Sequence, residues 1–138
     1  MIPLLVLTAA VSADLDALDQ AVARCDRTAS NPVFSAEAAR RSQFLLGAYR
    51  EQEAIVNERL AIADQRRAMR ETPASPAVKP SEQKQIEKQL DLQQAALDDR
   101  QKALNDQRML EGIRQDAMDS MRRYFLNNCP AGGSEKTK

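Results

Sequence analysis

Apolar side chains recur every three or four residues along most of this 138-residue chain, which is the period of amphipathic helices. Three stretches keep that period, residues 14–28, 35–71 and 81–127. Short segments rich in Pro, Ser and Thr separate them. The pattern therefore predicts an all-α protein with one short helix followed by two long ones.

The two long stretches carry rows of apolar residues at seven-residue spacing, which is typical of coiled coils. The rows are Ala48, Ile55, Ile62 and Met69, beside Tyr49, Val56 and Ala63, in the second stretch, and Leu90, Leu97 and Leu104 in the third. Such rows need a partner surface, and the other long helix is the simplest one. Because Gln93, Arg100 and Gln107 interrupt the third stretch, we expect a partly polar seam.

Proline marks the predicted ends of the helices. Pro32 is expected to interrupt the chain between the first two helices, after which Ser35 caps the second helix. Residues 72–80 hold three prolines and predict a non-helical tip, after which Ser81 caps the third helix. The short polar segment 130–138 is expected to be a disordered tail.

A helical hairpin would bring the two cysteines together. If residues 72–80 reverse the chain, Cys25 and Cys129 lie at equal distances from the tip and meet at the open end. We therefore predict that residues 14–129 form an antiparallel two-helix coiled-coil hairpin, with the short N-terminal helix packed at its base and a Cys25–Cys129 disulfide. Closing a loop of about 100 residues adds up to about 4.7 kcal/mol in the chain-entropy model. The alternative is two unpaired cysteines near helix ends.

The first thirteen residues, MIPLLVLTAAVSA, are uncharged and apolar, and the chain then becomes abruptly polar. This contrast predicts a secretory signal peptide, residues 1–13, cleaved between Ala13 and Asp14. The segment is short and has no basic residue before its apolar part, and the alternative is a first helix buried in a cytosolic protein. It is also shorter than the roughly 20 residues that span a bilayer. Together with a disulfide, it favours a periplasmic or secreted protein with no transmembrane segment after signal removal.

Charge is balanced along the chain, with 20 basic and 20 acidic residues. The Arg pairs at 40–41, 66–67 and 122–123 have acids close by, which favours solvent-exposed helix faces over nucleic-acid binding. Acid–base pairs at four-residue spacing also predict exposed faces. These pairs are Glu37 with Arg41, Asp98 with Lys102 and Asp119 with Arg123.

Catalytic chemistry is not indicated. The chain has no His, which is the commonest general base and metal ligand. It also has no phosphate-binding glycine loop and no CxxC motif. Asp98 and Asp99 are adjacent on a predicted helix, so their side chains point in different directions and cannot easily share one ion. The acidic residues at 14, 16 and 19 are expected to stabilise a helix N-terminus by their charge and not to bind a metal ion. We therefore expect no enzyme activity, cofactor or metal site.

The predicted shape favours a protein-binding role. Long helices with a partly polar seam bury little surface alone, so we expect a homodimer that forms a four-helix bundle. The expected function is a periplasmic or secreted scaffold or adaptor that binds a protein partner through helix faces. The alternatives are a periplasmic holdase chaperone and a cytosolic coiled-coil regulator with an intact N-terminus. Met109, Met118 and Met121 either fill the core or form an adaptable binding surface.

Overall fold

The structure, a computed structural model, describes the backbone of residues 5–71 and 79–131 and the side chains of residues 14–71 and 79–131. Within these residues it consists of three helices and no strand. The helices are α1 (Leu5–Ala23), α2 (Arg27–Glu71) and α3 (Pro80–Asn128). The predicted all-α class is confirmed, and α2 packs against α3. No helix in the described part of the chain is apolar over a length sufficient to cross a membrane.

The turn between α1 and α2 lies at Cys25, before the predicted interruption at Pro32. Cys25 adopts a φ of 55°, the left-handed conformation that commonly ends a helix. Its N–H donates to the carbonyl of Val22 at 3.0 Å, and the N–H of Asp26 donates to the carbonyl of Ala21 at 2.9 Å. These two bonds satisfy carbonyls in the last turn of α1 and form a Schellman ending.

Asp26 begins α2 immediately after that ending. Its Oδ1 accepts a hydrogen bond from the N–H of Ala29 at 3.0 Å, and its carbonyl accepts one from Ser30 at 2.9 Å. The N-cap is therefore Asp26, and the predicted cap at Ser35 is wrong. Pro32 lies inside α2. Because proline has no N–H, the second turn of α2 lacks one backbone hydrogen-bond donor. The cap at Asp26 stabilises the first turn, and the helix continues through Pro32.

The other helix ends lie beside the Pro-rich segment and the C-terminus. α2 ends at Glu71, as the sequence predicted. α3 extends from Pro80 to Asn128, one residue beyond each end of the predicted helix 81–127. Lys79 caps α3, because its carbonyl accepts bonds from the N–H groups of Glu82 and Gln83 at 2.9 and 3.2 Å. Pro80 is then the first helical residue, where its fixed φ is favourable and no N–H is needed. The predicted cap at residue 81 is therefore wrong.

Contacts divide the chain into two compact units. Unit 1 combines Met1–Ser42 with Glu111–Lys138, and unit 2 is Gln43–Leu110. The predicted tip at 72–80 and tail at 130–138 lie mostly outside the described residues. The buried core of unit 1 consists of Leu18, Val22, Met118, Phe125 and Cys129.

The core of unit 2 is a narrow seam between α2 and α3. The seam residues are Ala48, Ile55 and Ile62 of α2 and Leu90, Leu97 and Leu104 of α3. Ile55 is 0% exposed, whereas Tyr49 and Val56 of the neighbouring apolar row are 64% and 45% exposed. Each fully buried aliphatic side chain stabilises the fold by about 1.5–3 kcal/mol. One of the two predicted rows on α2 therefore forms the core, and the other is left on the surface.

Candidate functional site

The predicted cysteine pair lies within unit 1. The Sγ atoms of Cys25 and Cys129 are 2.06 Å apart, which is the distance of a disulfide bond, and the Cα atoms are 5.3 Å apart. Cys129 directly follows α3 and is buried, while Cys25 occupies the turn between α1 and α2. The pair therefore joins the start of α2 to the end of α3.

Arg27 packs over the same end of unit 1. Its Nη2 donates to the carbonyl of Cys129 at 3.1 Å and also to the carbonyl of Pro130. Its guanidinium carbon lies 5.2 Å from the centre of the Phe125 ring, and that ring lies 5.8 Å from the ring of Phe34. A cation–π contact of this kind contributes about 0.5–2 kcal/mol. The disulfide therefore sits among packed aromatic and hydrogen-bonded groups, an environment that suits a structural bond.

The predicted cleavage site, between Ala13 and Asp14, lies inside α1, which is continuous from Leu5 to Ala23. Asp14 is exposed, and its Oδ2 lies 3.9 Å from a guanidinium nitrogen of Arg114. The side chain of Ala13 is outside the described residues. Cleavage at this bond remains a prediction.

Unit 1 also contains a layer of charged side chains that the sequence analysis did not find. This ionic layer consists of Glu37, Arg40 and Arg41 of α2 and Glu111 and Arg114 of α3. Glu37 is 7% exposed and Glu111 is 8% exposed. Arg40 bridges them, donating from Nη1 to Glu111 at 3.0 Å and from Nη2 to Glu37 at 2.7 Å. The Glu37–Arg41 pair was predicted to mark an exposed face, and that prediction is wrong for Glu37, which is buried and also contacts Arg114 of α3.

Further contacts extend the ionic layer to the surface of unit 1. Arg114 donates to Glu37 at 3.4 Å, and Arg41 donates to Asp119 at 2.9 Å. Asp119 was expected to pair with Arg123, which instead donates to the backbone carbonyl of Asp119 at 3.4 Å. The buried Nε of Arg114 has no hydrogen-bond partner among the described residues. The layer therefore joins α2 to α3 at several points.

The ionic layer keeps its carboxylates ionised. Hydrogen bonds from Arg40 lower the pKa of Glu37, and this effect exceeds the opposing effect of burial. Burial raises the pKa of Glu111, but hydrogen bonds from Arg40 and Gln115 outweigh it, so the net shift is downward. The same two carboxylates raise the pKa of Arg40. Mutual hydrogen bonding therefore maintains charges in a position where isolated charges would be unfavourable.

Ion pairs line one edge of the unit 2 seam. Arg59 donates to Asp98 at 2.9 Å, and Arg66 donates to Asp91 at 2.8 Å. Asp98 was predicted to pair along its own helix with Lys102, but its contact with Arg59 crosses the seam. As the residue number rises along α2, the number of its partner falls along α3. Both contacts join α2 to α3 within unit 2.

Arg100 follows Asp98 by two residues on α3, and this spacing places the two side chains on different sides of the helix. Arg100 therefore lies at the other edge of the seam. It donates to Glu51 and to Glu58, each at 2.9 Å. The hydrogen bond from Arg100 lowers the pKa of Glu51. Of the three residues predicted to interrupt the seam, Arg100 is partly buried at its edge, whereas Gln93 and Gln107 are exposed.

Five large apolar residues of α2 remain exposed in unit 2. We call them the α2 stripe, and they are Leu45, Leu46, Tyr49, Val56 and Leu60. Tyr49 and Val56 are seven residues apart and share a helix face. Val56 precedes Arg59 by one turn, so the stripe borders the Arg59–Asp98 edge of the seam.

α3 carries a second exposed apolar row in unit 2. This α3 stripe consists of Leu92, Ala96, Ala103 and Leu110, and the last three are seven residues apart. Ala96 and Ala103 flank Arg100 at distances of four and three residues. The α3 stripe therefore borders the opposite edge of the seam from the α2 stripe. Sequence analysis did not find it because alanine alone is a weak signal of an apolar face.

The three methionines near the end of α3 divide between core and surface. Met118 is buried in the core of unit 1, and Met121 is partly buried against it. Met109 is exposed. Within the residues whose side chains are described, no group of three or more Cys, Asp or Glu side chains is arranged to hold a metal ion.

Comparison of the chain with protein-family models, with curated proteins and with solved structures finds no match.

Proposed function

We propose that this protein is a non-enzymatic scaffold or adaptor that binds a protein partner through the exposed apolar stripes of its long helices. The proposed architecture is an antiparallel coiled-coil hairpin. The opposed contacts of Arg59 with Asp98 and of Arg66 with Asp91 support it. The Cys25–Cys129 pair supports a periplasmic or secreted location, because disulfides persist in oxidising compartments.

The observation that carries the proposal is the exposure of the α2 and α3 stripes. Leu92, Leu110 and Leu60 are each more than half exposed although they lie on well-formed helices. Isolated exposed leucines are ordinary, but apolar residues repeated at heptad spacing on one face indicate a helix-binding surface. A protein helix with the same period fits such a stripe.

Site-specific photo-crosslinking in the native host tests the proposal. A photoreactive amino acid is placed at Ala103, in the α3 stripe, and at Asn105 as the matched control. Both positions are exposed, and two residues of separation place them on different faces. We expect one dominant adduct from Ala103 and none from Asn105. No adduct from Ala103, or equal adducts from both positions, would overturn the proposal.

The same experiment separates the alternatives. A holdase chaperone would give many adducts of different mass from Ala103, because it binds many unfolded clients. A cytosolic regulator would retain residues 1–13 and two free thiols. Intact-mass measurement of the protein from the native host distinguishes that case, since export predicts loss of the leader together with a deficit of about two daltons for the disulfide.

A further inference from the structure

We propose that a groove between α1 and α3 in unit 1 binds an arginine side chain of a protein partner. We call it the α1–α3 groove. It has a volume of about 370 Å³ and is lined by Asp19, Val22, Ala23, Ser120, Met121 and Tyr124. This inference goes beyond the proposed function, which assigns binding to the stripes of unit 2, because it adds a binding site in unit 1 and names the side chain that occupies it.

The shape of the α1–α3 groove suits a single side chain. Val22 is only 2% exposed, and Met121 is partly buried against the same core. The four other lining residues are exposed, so the groove is open to solvent. Pockets for small molecules have volumes of about 300–1,000 Å³ and bury most of the ligand. An open groove near the lower limit of that range fits a side chain that a protein partner holds in place.

Asp19 gives the α1–α3 groove a negative charge. It is the one charged residue among the six that line the groove, and its carboxylate has no hydrogen bond or ion pair with the described residues. Asp19 lies one turn before Ala23, where α1 ends, and the last turn of α1 contains no basic residue. The carbonyl end of a helix carries a partial negative charge, which adds to that of Asp19. Charge complementarity therefore selects a cation.

The basic residues that are near the lining residues in sequence do not neutralise this charge. Arg24 follows α1 directly, and Arg122 and Arg123 precede Tyr124, but none of the three lines the groove. Arg123 donates from Nε to the backbone carbonyl of Asp119 at 3.4 Å. The cation must therefore come from another molecule.

The neighbouring contacts of Arg27 indicate which cation fits. Arg27 lies 5.2 Å from the centre of the Phe125 ring and donates to the carbonyl of Cys129. The groove offers a similar combination, the aromatic ring of Tyr124 and the carboxylate of Asp19, without an arginine. A planar guanidinium stacks on aromatic rings and forms paired hydrogen bonds with a carboxylate, whereas a compact ammonium does not form such a pair. Arginine is therefore the basic side chain that fits the groove best.

Titration of the full oxidised chain with N-acetylarginine amide tests the chemistry of the groove. Isotope-labelled methionine methyl groups are observed by NMR, where Met121 reports on the groove and Met69 and Met109 report on unit 2. We expect a saturable shift of the Met121 signal and none of the other two. N-acetylcitrulline amide, the uncharged analogue, should cause no saturable shift, and N-acetyllysine amide should bind more weakly.

Substitutions identify the contacts. Asp19→Asn should raise the Kd of N-acetylarginine amide about threefold or more, and Tyr124→Leu should raise it about twofold or more. Asp106→Asn is the matched control, because it removes an exposed carboxylate in unit 2, and it should leave the Kd nearly unchanged. Circular dichroism of each variant establishes that the helices are retained.

Three results would overturn the assignment of the groove to arginine. They are the absence of a saturable Met121 shift, equal binding of the arginine amide and either of its analogues, and equal Kd values for Asp19→Asn and Asp106→Asn.

Photo-crosslinking in the native host tests whether a protein supplies the arginine. A photoreactive amino acid at Ala23, an exposed residue of the groove, should give a protein adduct, and Asp19→Asn should reduce its yield several-fold. Absence of a protein adduct, or an adduct that Asp19→Asn does not reduce, would overturn the assignment to a protein partner.

The two proposals fail separately. Binding that depends on Asp19, without any adduct from Ala103, would overturn partner binding through the stripes and leave the groove standing. One dominant adduct from Ala103, without a shift of Met121, would overturn the groove and leave the proposed function standing.

Discussion

Arg40 of α2 donates from Nη1 to Glu111 of α3 at 3.0 Å, which joins two residues that are 71 positions apart in the sequence. Both ends of this bond belong to the ionic layer, where Glu37 accepts from the same guanidinium. A shifted pairing of the helices in unit 1 would leave these buried charges without partners. We infer that the layer favours one register, because a buried charge that loses its partner is strongly destabilising.

Removing one carboxylate of the ionic layer should destabilise the protein. We predict that Glu111→Ala lowers the free energy of unfolding by about 2 kcal/mol. Breaking a buried ion pair costs about 3–5 kcal/mol, and the partial exposure of Arg40, whose side chain is 32% exposed, reduces that cost. Urea denaturation monitored by circular dichroism measures the change.

Asp91→Ala is the matched control for that variant, because it also removes the acidic partner of an arginine that joins α2 and α3. The carboxylate of Asp91 is 75% exposed, so the loss should be below about 1 kcal/mol. Equal losses for Glu111→Ala and Asp91→Ala would show that burial does not strengthen the ionic layer.

The ionic layer should also make the stability depend on pH. The pKa values of Glu37 and Glu111 lie below their ordinary value of 4.5 in the folded protein, so their contribution is complete above about pH 4.5. It is lost as the pH falls through the folded pKa values. Arg40 and Arg41 face these carboxylates and stay charged throughout, because hydrogen bonds to carboxylates raise the pKa of both guanidinium groups.

Variants without these carboxylates test the pH dependence. We predict that Glu37→Gln combined with Glu111→Gln lowers stability at pH 7 and makes the thermal midpoint fall less steeply below pH 4.5. Glu53→Gln, which removes an exposed carboxylate, should leave both the midpoint and its pH slope nearly unchanged. An unaltered slope in the double variant would show that other carboxylates cause the acid dependence.

Much of the helical pattern is readable from sequence because it depends on spacing alone. The seven-residue row of Leu90, Leu97 and Leu104 predicts the buried face of α3, and the structure buries all three. The meeting of Cys25 and Cys129 follows from their equal distances from the Pro-rich segment. Both inferences use positions along the chain and need no knowledge of side-chain contacts.

Other features depend on contacts between distant residues, which spacing does not reveal. Glu37 and Arg41 have the spacing of an exposed helix pair, but Glu37 is buried in unit 1 and contacts Arg114 of α3. The pairing of Arg40 with Glu111 has no local signal. The turn at Cys25 was missed for a different reason, because the left-handed conformation usually indicates Gly or Asn.

The left-handed conformation of Cys25 can be tested by comparing two substitutions at this position. In a background where Cys129 is replaced by Ala, we predict that Cys25→Gly is more stable than Cys25→Ala by about 1 kcal/mol. Glycine adopts a φ of 55° without steric strain, whereas the Cβ of alanine causes the same steric strain there as that of other L-residues. Urea denaturation under reducing conditions measures both variants.

The opposite ranking is expected at an ordinary helical position, which supplies the control. At Ala36, which is exposed within α2, Ala36→Gly should destabilise by about 1 kcal/mol. If glycine were also the worse residue at position 25, the left-handed ending of α1 would not be the conformation in solution.

Ser30 offers a test of an unfavourable buried group. It is 0% exposed, and its hydroxyl has no hydrogen-bond partner among the described residues. Burying an unpaired hydroxyl costs about 1–3 kcal/mol, so we predict that Ser30→Ala raises the free energy of unfolding by about 1 kcal/mol. Ser35→Ala, at an exposed position of the same helix, isolates the smaller gain in helix propensity, about 0.5 kcal/mol. A loss of stability in Ser30→Ala would instead mean that the hydroxyl is hydrogen-bonded in solution and contributes to the packing of α2.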